Sequence, residues 1–188
     1  MKIKMELLSD AIFGNGMSVP GGEDISVLTD DYGFPYYKGS TFKGVFRDEC
    51  FKYLEWCGKT DNEIKEIIER LFGMSGDDRT NNESKLVFSN FELSGNVRSK
   101  VIEEINTPNK RLSALTNLRT FTAIEEGMVK EGSLRIARCV DRGLVFYSEV
   151  KCNPSDEELV KEILGMIKWI GSMKSRGFGK ICISKVED

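Results

Sequence analysis

Ser172-Met173-Lys174-Ser175-Arg176-Gly177-Phe178-Gly179-Lys180 separates a helical pattern from an alternating strand, Ile181-Cys182-Ile183-Ser184, and this junction fixes the class of fold. Glycine lets a backbone approach a ligand closely. Here the cations Lys174, Arg176 and Lys180 flank Gly177 and Gly179 with no acid among them, a chemistry suited to phosphate. Upstream, Leu159, Ile163, Met166 and Ile170 recur on one helix face, and Pro154, Ser155 and Glu158 predict a capping box at its start.

A second glycine-plus-cation segment lies toward the other end, Lys38-Gly39-Ser40-Thr41-Phe42-Lys43-Gly44-Val45-Phe46-Arg47. Phe42, Val45, Phe46, Cys50, Tyr53 and Leu54 fall at helical spacing after it, with Ser40 or Thr41 as the expected cap. Lys43 and Arg47 then share another face near the positive end of that helix, a place for anionic oxygens. Lys38, Gly39, Ser40, Lys43 and Arg47 form one candidate nucleic-acid-binding set; Lys174, Arg176, Gly177, Gly179 and Lys180 form the other. The ordinary alternative is a tight turn with a solvated helix face.

Between and around these segments the pattern is strand, helix, strands, helix, strand. Ile3, Met5 and Leu7 alternate with polar residues in a half-buried strand. Residues 9–37, with Pro20 and Pro35, show no periodicity and are expected as a long loop. A helix from Asn62 ends at Gly73, an acidic stretch with Asp77-Asp78 follows, and Leu86–Leu93 reads as a strand. Residues 94–130 read as an irregular insertion, with Leu118–Ile124 a possible strand. Leu134–Val140 and Leu144–Val150 read as strands joined at Asp141-Arg142-Gly143. The expected class is α+β, ferredoxin-like, with helices over one antiparallel sheet.

Composition narrows the chemistry. The 188 residues fit one domain, carry a net charge of −3 and contain no membrane-length apolar run or apolar signal core, so a cytoplasmic protein with no membrane partner is expected. The five cysteines, with no Cys-x-x-Cys pair, read as buried free thiols. Histidine is absent, which removes imidazole bases, Ser-His-Asp and Cys-His systems, and histidine metal ligands. Any catalysis falls to carboxylates, lysine, tyrosine or a carboxylate-bound metal. Phe178, Trp56 and Trp169 are read as packing residues, with base stacking the alternative for Phe178.

Five segments in order resemble one family: Pro35–Arg47, Leu71-Phe72-Gly73, Val87-Phe88-Ser89-Asn90, Glu131–Arg135 with Gly143-Leu144-Val145-Phe146, and Ser175-Arg176-Gly177-Phe178-Gly179. Together they resemble the RAMP superfamily of CRISPR effector complexes, most closely the repeating backbone subunit of type III complexes. The resemblance implies a single RAMP domain over residues 1–188 with a modified RNA-recognition-motif fold. It also implies a CRISPR guide RNA gripped by its backbone, target RNA, other effector subunits and copies of itself as partners. In target-cleaving relatives an acid in the loop after the first strand cuts paired RNA with a divalent ion. That position corresponds to Asp24, implied as both catalytic residue and ligand of Mg2+ or Mn2+, with Glu23, Asp30 and Asp31 as neighbours that could substitute. A non-catalytic, structural guide-binding subunit is the alternative; a guide-processing ribonuclease is disfavoured by the missing histidine. The chain departs from the family pattern at Lys38, often proline, and at Asn90, often aspartate.

Overall fold

The structure is a computed structural model and describes residues 1–14, 22–73 and 86–186; Pro20 and the Asp77-Asp78 stretch lie outside the described residues. The elements run β1 (Lys2–Leu7), α1 (Gly39–Trp56), α2 (Asp61–Phe72), β2 (Val87–Phe88), β3 (Glu92–Leu93), α3 (Gly95–Glu104), α4 (Pro108–Leu115) and β4 (Thr116–Phe121). They continue with β5 (Ile124–Glu125), β6 (Met128–Val129), β7 (Arg135–Val140), β8 (Val145–Lys151), α5 (Glu157–Met166) and β9 (Ile181–Lys185).

The main sheet has the order β2-β8-β1-β9, with β3 also on β8, and the pairings are antiparallel. β1 is central, with Lys4 opposite Tyr147 on β8 and Met5 opposite Ile183 on β9. Its alternation sends Ile3, Met5 and Leu7 inward, into the core they share with the buried residues of α1, α2 and α5. With β2 and β3 taken as one interrupted strand, this is the ferredoxin-like arrangement expected from the sequence. On α1 the inward residues are Gly39, Phe42, Phe46, Cys50 and Leu54, one turn apart, and Phe42 and Phe46 both pack on the Phe88 ring.

Several local expectations need correction. Neither Ser40 nor Thr41 caps α1. The Gly39 N–H instead donates to Asn90 Oδ1 at 3.1 Å, a cap supplied from the break between β2 and β3. The capping box at Ser155 and Glu158 is absent, because residues 154–156 form a 3-10 turn that runs directly into α5. A capping box does occur at Thr60 and Glu63, opening α2. On α5 the buried residues are Val160, Ile163 and Leu164, while Ile170 is buried beyond the helix end. The strand expected at Leu86–Leu93 is interrupted at residues 89–91, where Ser89 Oγ accepts the Glu149 N–H and Phe91 turns into the core.

The region 94–130 is ordered, not irregular. α3 has a Ser94 cap and no buried residue, and α4 begins at Pro108, so neither shows an apolar stripe that periodicity detects. The buried Arg111 holds this region together: its Nε donates to Ile105 O at 2.6 Å and its Nη1 to Tyr32 O at 3.2 Å. β4 and β7 make a six-residue antiparallel ribbon, and β5 pairs with β6. Trp56 is 78% exposed and packs against no core. Of the cysteines only Cys50 and Cys139 are buried, and burial pushes the thiol of each up, Cys50 to about 11 and Cys139 to about 12.

Asp10 ties the end of β1 to the ribbon. Burial alone would raise its carboxyl, but Arg119, the Arg142 N–H and Asn117 hold it below its ordinary value of 3.8. The stability it contributes is therefore present above that value and lost as pH falls through the lower folded one. Gly44 lies on the exposed side of α1, and a methyl added to its Cα would have no atom within 4 Å. Gly44→Ala is accordingly expected to stabilise the fold by about 1 kcal/mol, seen as a higher thermal midpoint, and a lowered midpoint would show a hidden contact there.

Candidate nucleic-acid interface

Residues 171–179 form a turn of unusual backbone geometry: Gly171, Met173, Gly177 and Gly179 all have positive φ, from 57° to 86°. The glycines serve different ends. A Cβ on Gly179 would lie 1.9 Å from the Ile170 carbonyl oxygen, and one on Gly171 would lie 2.5 Å from that of Ile12. Gly177 closes the 3-10 turn Lys174–Arg176, and the space around its Cα is open. Gly39 resembles Gly179: it is buried, and a Cβ would lie 2.2 Å from the Phe88 carbonyl oxygen. The close approach at Gly39 and Gly179 is thus to the chain's own backbone, whereas Gly177, like Gly44 on α1, has an open face.

Tyr37 joins the two glycine segments. Its ring packs on Phe13 and Phe91, and its phenol faces the backbone of Gly171. Burial pushes that phenol above its ordinary value, and the Gly171 backbone opposes the rise. Lys38 and Ser40 are exposed at the start of α1. Lys43 and Arg47 turn toward α2, their cationic groups 5.8 and 5.9 Å from the Phe72 ring centroid. Burial and the neighbouring Arg47 lower the Lys43 ammonium below its ordinary value.

The cations of the C-terminal turn diverge. Lys174 lines a hollow with Glu49, Lys52 and Trp169 on the α1 side. Arg176 turns the other way and stacks over Phe121 of β4, 5.7 Å from its centroid; Phe178 meets the same ring edge-on at 5.5 Å. Phe178 is half-buried against Ile12, Ala137 and Cys139, as a packing residue. Lys180 is exposed, and its N–H donates to Ser9 Oγ at 2.9 Å.

Asp24 does not sit in a free loop. Within the span expected as a loop, residues 23–25 lie beside β7. The Asp24 N–H donates to Ile136 O at 2.8 Å, the Ile136 N–H donates to Asp24 Oδ2 at 2.7 Å, and Ile25 bridges Ala137 in parallel. Asp24 Oδ1 is 4.0 Å from Arg135 Nη1, and the carboxylate remains 41% exposed. Its neighbours differ. Glu23 is paired with Arg138, which also donates to Thr116; burial raises the Glu23 carboxyl, but its own N–H and Arg138 bring it below its ordinary value. Asp30 accepts the Tyr32 and Phe34 N–H groups and pairs with Arg98 at 2.6 Å, so it builds the turn before α1. Asp31 is exposed.

The structure therefore brings Asp24, Arg135, Phe121 and Arg176 into one neighbourhood and leaves Lys43 and Arg47 against α2. Arg135 and Phe121 escape a reading of the sequence, since only the β4–β7 register sets them opposite each other. Among the described residues no group of three or more cysteine or acidic side chains converges to hold a metal ion. A Mg2+ or Mn2+ ion fits here only as one shared between the Asp24 carboxylate and a phosphate, a ligand set those hard ions accept. No helix among the described residues is long and apolar enough to cross a membrane.

No curated protein sequence matches the chain. Many solved chains share its fold, among them two from cryo-EM structures. One, described as the cryo-EM structure of the Type III-B Cmr-beta bound to cognate target RNA, is 11% identical with TM-score 0.69, over 97% of this chain and 95% of the matched one. The other, the Type III-B Cmr-beta cryo-EM structure of the apo state, is 13% identical with TM-score 0.70, over 100% and 97%. A profile of the RAMP superfamily matches residues 4–182, from within β1 to the start of β9. With the ferredoxin-like sheet and the glycine turn both inside that span, the chain belongs to the RAMP superfamily.

Proposed function

We propose that this protein is a guide-RNA-binding backbone subunit of a type III CRISPR ribonucleoprotein and that it cleaves guide-paired target RNA with a divalent metal. The observation that carries the assignment to such a complex is the end-to-end fold match to chains of Type III-B Cmr-beta, inside a RAMP match over residues 4–182. Its partners are the guide, the target RNA, other effector subunits and further copies of itself along the guide.

In the cleavage role, a magnesium or manganese ion bound at Asp24 would supply neutralisation of phosphate charge. Asp24 would hold the ion, and the Ile136 N–H fixes one oxygen of its carboxylate. Arg135 adds positive charge on the same side. The absence of histidine agrees with chemistry that needs no imidazole. A structural, non-catalytic role is the second reading, favoured by the hydrogen bond that already occupies one Asp24 oxygen and by the lack of a second converging acid among the described residues.

Backbone gripping predicts a salt signature. Lys38→Ala with Lys174→Ala should weaken RNA binding across unrelated sequences and flatten the dependence of log K on log salt by roughly one unit per lost contact. An unchanged slope would move the RNA track away from these lysines. The assembly role is tested by sizing: co-expressed with a guide RNA and partner subunits, the protein should elute as a large ribonucleoprotein, and persistent monomer would refute that role.

A further inference from the structure

A cavity of about 390 Å3 lies between the β4–β7 ribbon and the glycine turn, lined in part by Phe121, Ser133, Arg135, Met173, Ser175 and Arg176. None of its lining residues is acidic. Arg135 and Phe121 are opposite each other in the antiparallel register, so their side chains leave the ribbon on the same face. Arg176 reaches that face from the turn and stacks on the Phe121 ring, which Phe178 braces from the side. Among the described residues Arg176 has no ion-pair partner, and the carboxylate nearest Arg135 is Asp24, at 4.0 Å. Two guanidiniums facing one hollow repel each other unless an anion lies between them. The planar fork of arginine suits a phosphate, which can accept two N–H groups from each side.

We propose that Arg135 and Arg176 jointly seat a single RNA phosphodiester in this cavity, and that Arg135 thereby positions it beside Asp24. The proposal rests on the RNA-binding reading above and adds the site. Arg135 is a positioning residue: one edge of its guanidinium approaches the acid, and the group also lines the cavity. Lys174 and Arg176 stand two residues apart in one 3-10 turn, so their side chains leave it toward different hollows. Only Arg176 is thus available to the seat.

The test is a double-mutant cycle on the full chain, with a single-stranded oligoribonucleotide in EDTA so that neither cutting nor metal intervenes. Arg135→Ala and Arg176→Ala should each weaken binding by about tenfold, and the double variant should bind little worse than either, because the shared phosphate is already lost. R135K should recover part of the affinity and R135Q none. Arg135 is 60% exposed, so thermal midpoints should not move. Losses that multiply, or single variants that bind like the wild type, overturn the shared seat while leaving RNA binding intact. A wild type that binds no RNA overturns the functional reading as well. Inorganic phosphate that displaces nothing at millimolar concentration agrees with an RNA seat, whereas equal competition at that level reassigns the cavity to a small free anion.

Discussion

Asp24→Asn should abolish magnesium- or manganese-dependent cutting of guide-paired RNA, lowering the single-turnover rate by at least about a hundredfold. The substitution isolates the charge. An asparagine carbonyl oxygen can still accept the Ile136 N–H, so the pairing of residues 23–25 with β7 is kept and only the anionic ligand is lost. RNA affinity in magnesium and the size of the assembled complex should therefore stay within about twofold of the wild type, since the grip comes from the cations, Arg135 among them, and not from the Asp24 carboxylate. Glu23→Gln is the informative contrast, because it breaks the pair with Arg138 and should lower stability before it touches chemistry. Full cutting by Asp24→Asn would remove this residue from the mechanism. If Glu23, Asp30 and Asp31 variants also cut normally, the structural reading is the better one.

Gly179→Ala should unfold or nearly unfold the protein, at a cost of about 3 kcal/mol or more. Two penalties combine there: a φ of 75° that a side chain resists, and a methyl 1.9 Å from the Ile170 carbonyl oxygen. That oxygen cannot retreat freely, because Ile170 N–H donates to Gly179 O at 2.9 Å and Gly179 N–H to Asp10 O at 2.8 Å. Gly177→Ala carries the first penalty alone. Urea titration of the two variants should rank Gly179→Ala well below Gly177→Ala, and equal midpoints would show that the Ile170 contact yields at little cost.

The same pair of glycines marks how far the sequence can be read. A glycine beside cations signals that something must come close, and the identity of that neighbour is a tertiary fact. At Gly39 and Gly179 it is the protein's own carbonyl groups. Strands with a buried face were legible from alternation, as in Ile3, Met5 and Leu7, and so was α1 from its one-turn spacing. α3 was not, because a helix with no buried residue has no stripe to detect. The Asn90 cap on α1 spans 51 residues and leaves no local signature. Asp24 could be located by resemblance, but its anchoring on Ile136 and its approach to Arg135 depend on how residues 23–25 lie against β7.

The place of β1 has a kinetic consequence. β1, the first of the described strands, lies in the middle of the sheet, and both of its neighbours, β8 and β9, come from residues 145–185. Until those residues emerge, Ile3, Met5 and Leu7 have no sheet to enter, so the central pairing waits for segments about 140 to 180 residues further along. Slow, late closure of this kind leaves an apolar strand exposed on the nascent chain. Folding yield should then respond to translation rate and chaperone supply more strongly than the equilibrium stability of the finished sheet would suggest.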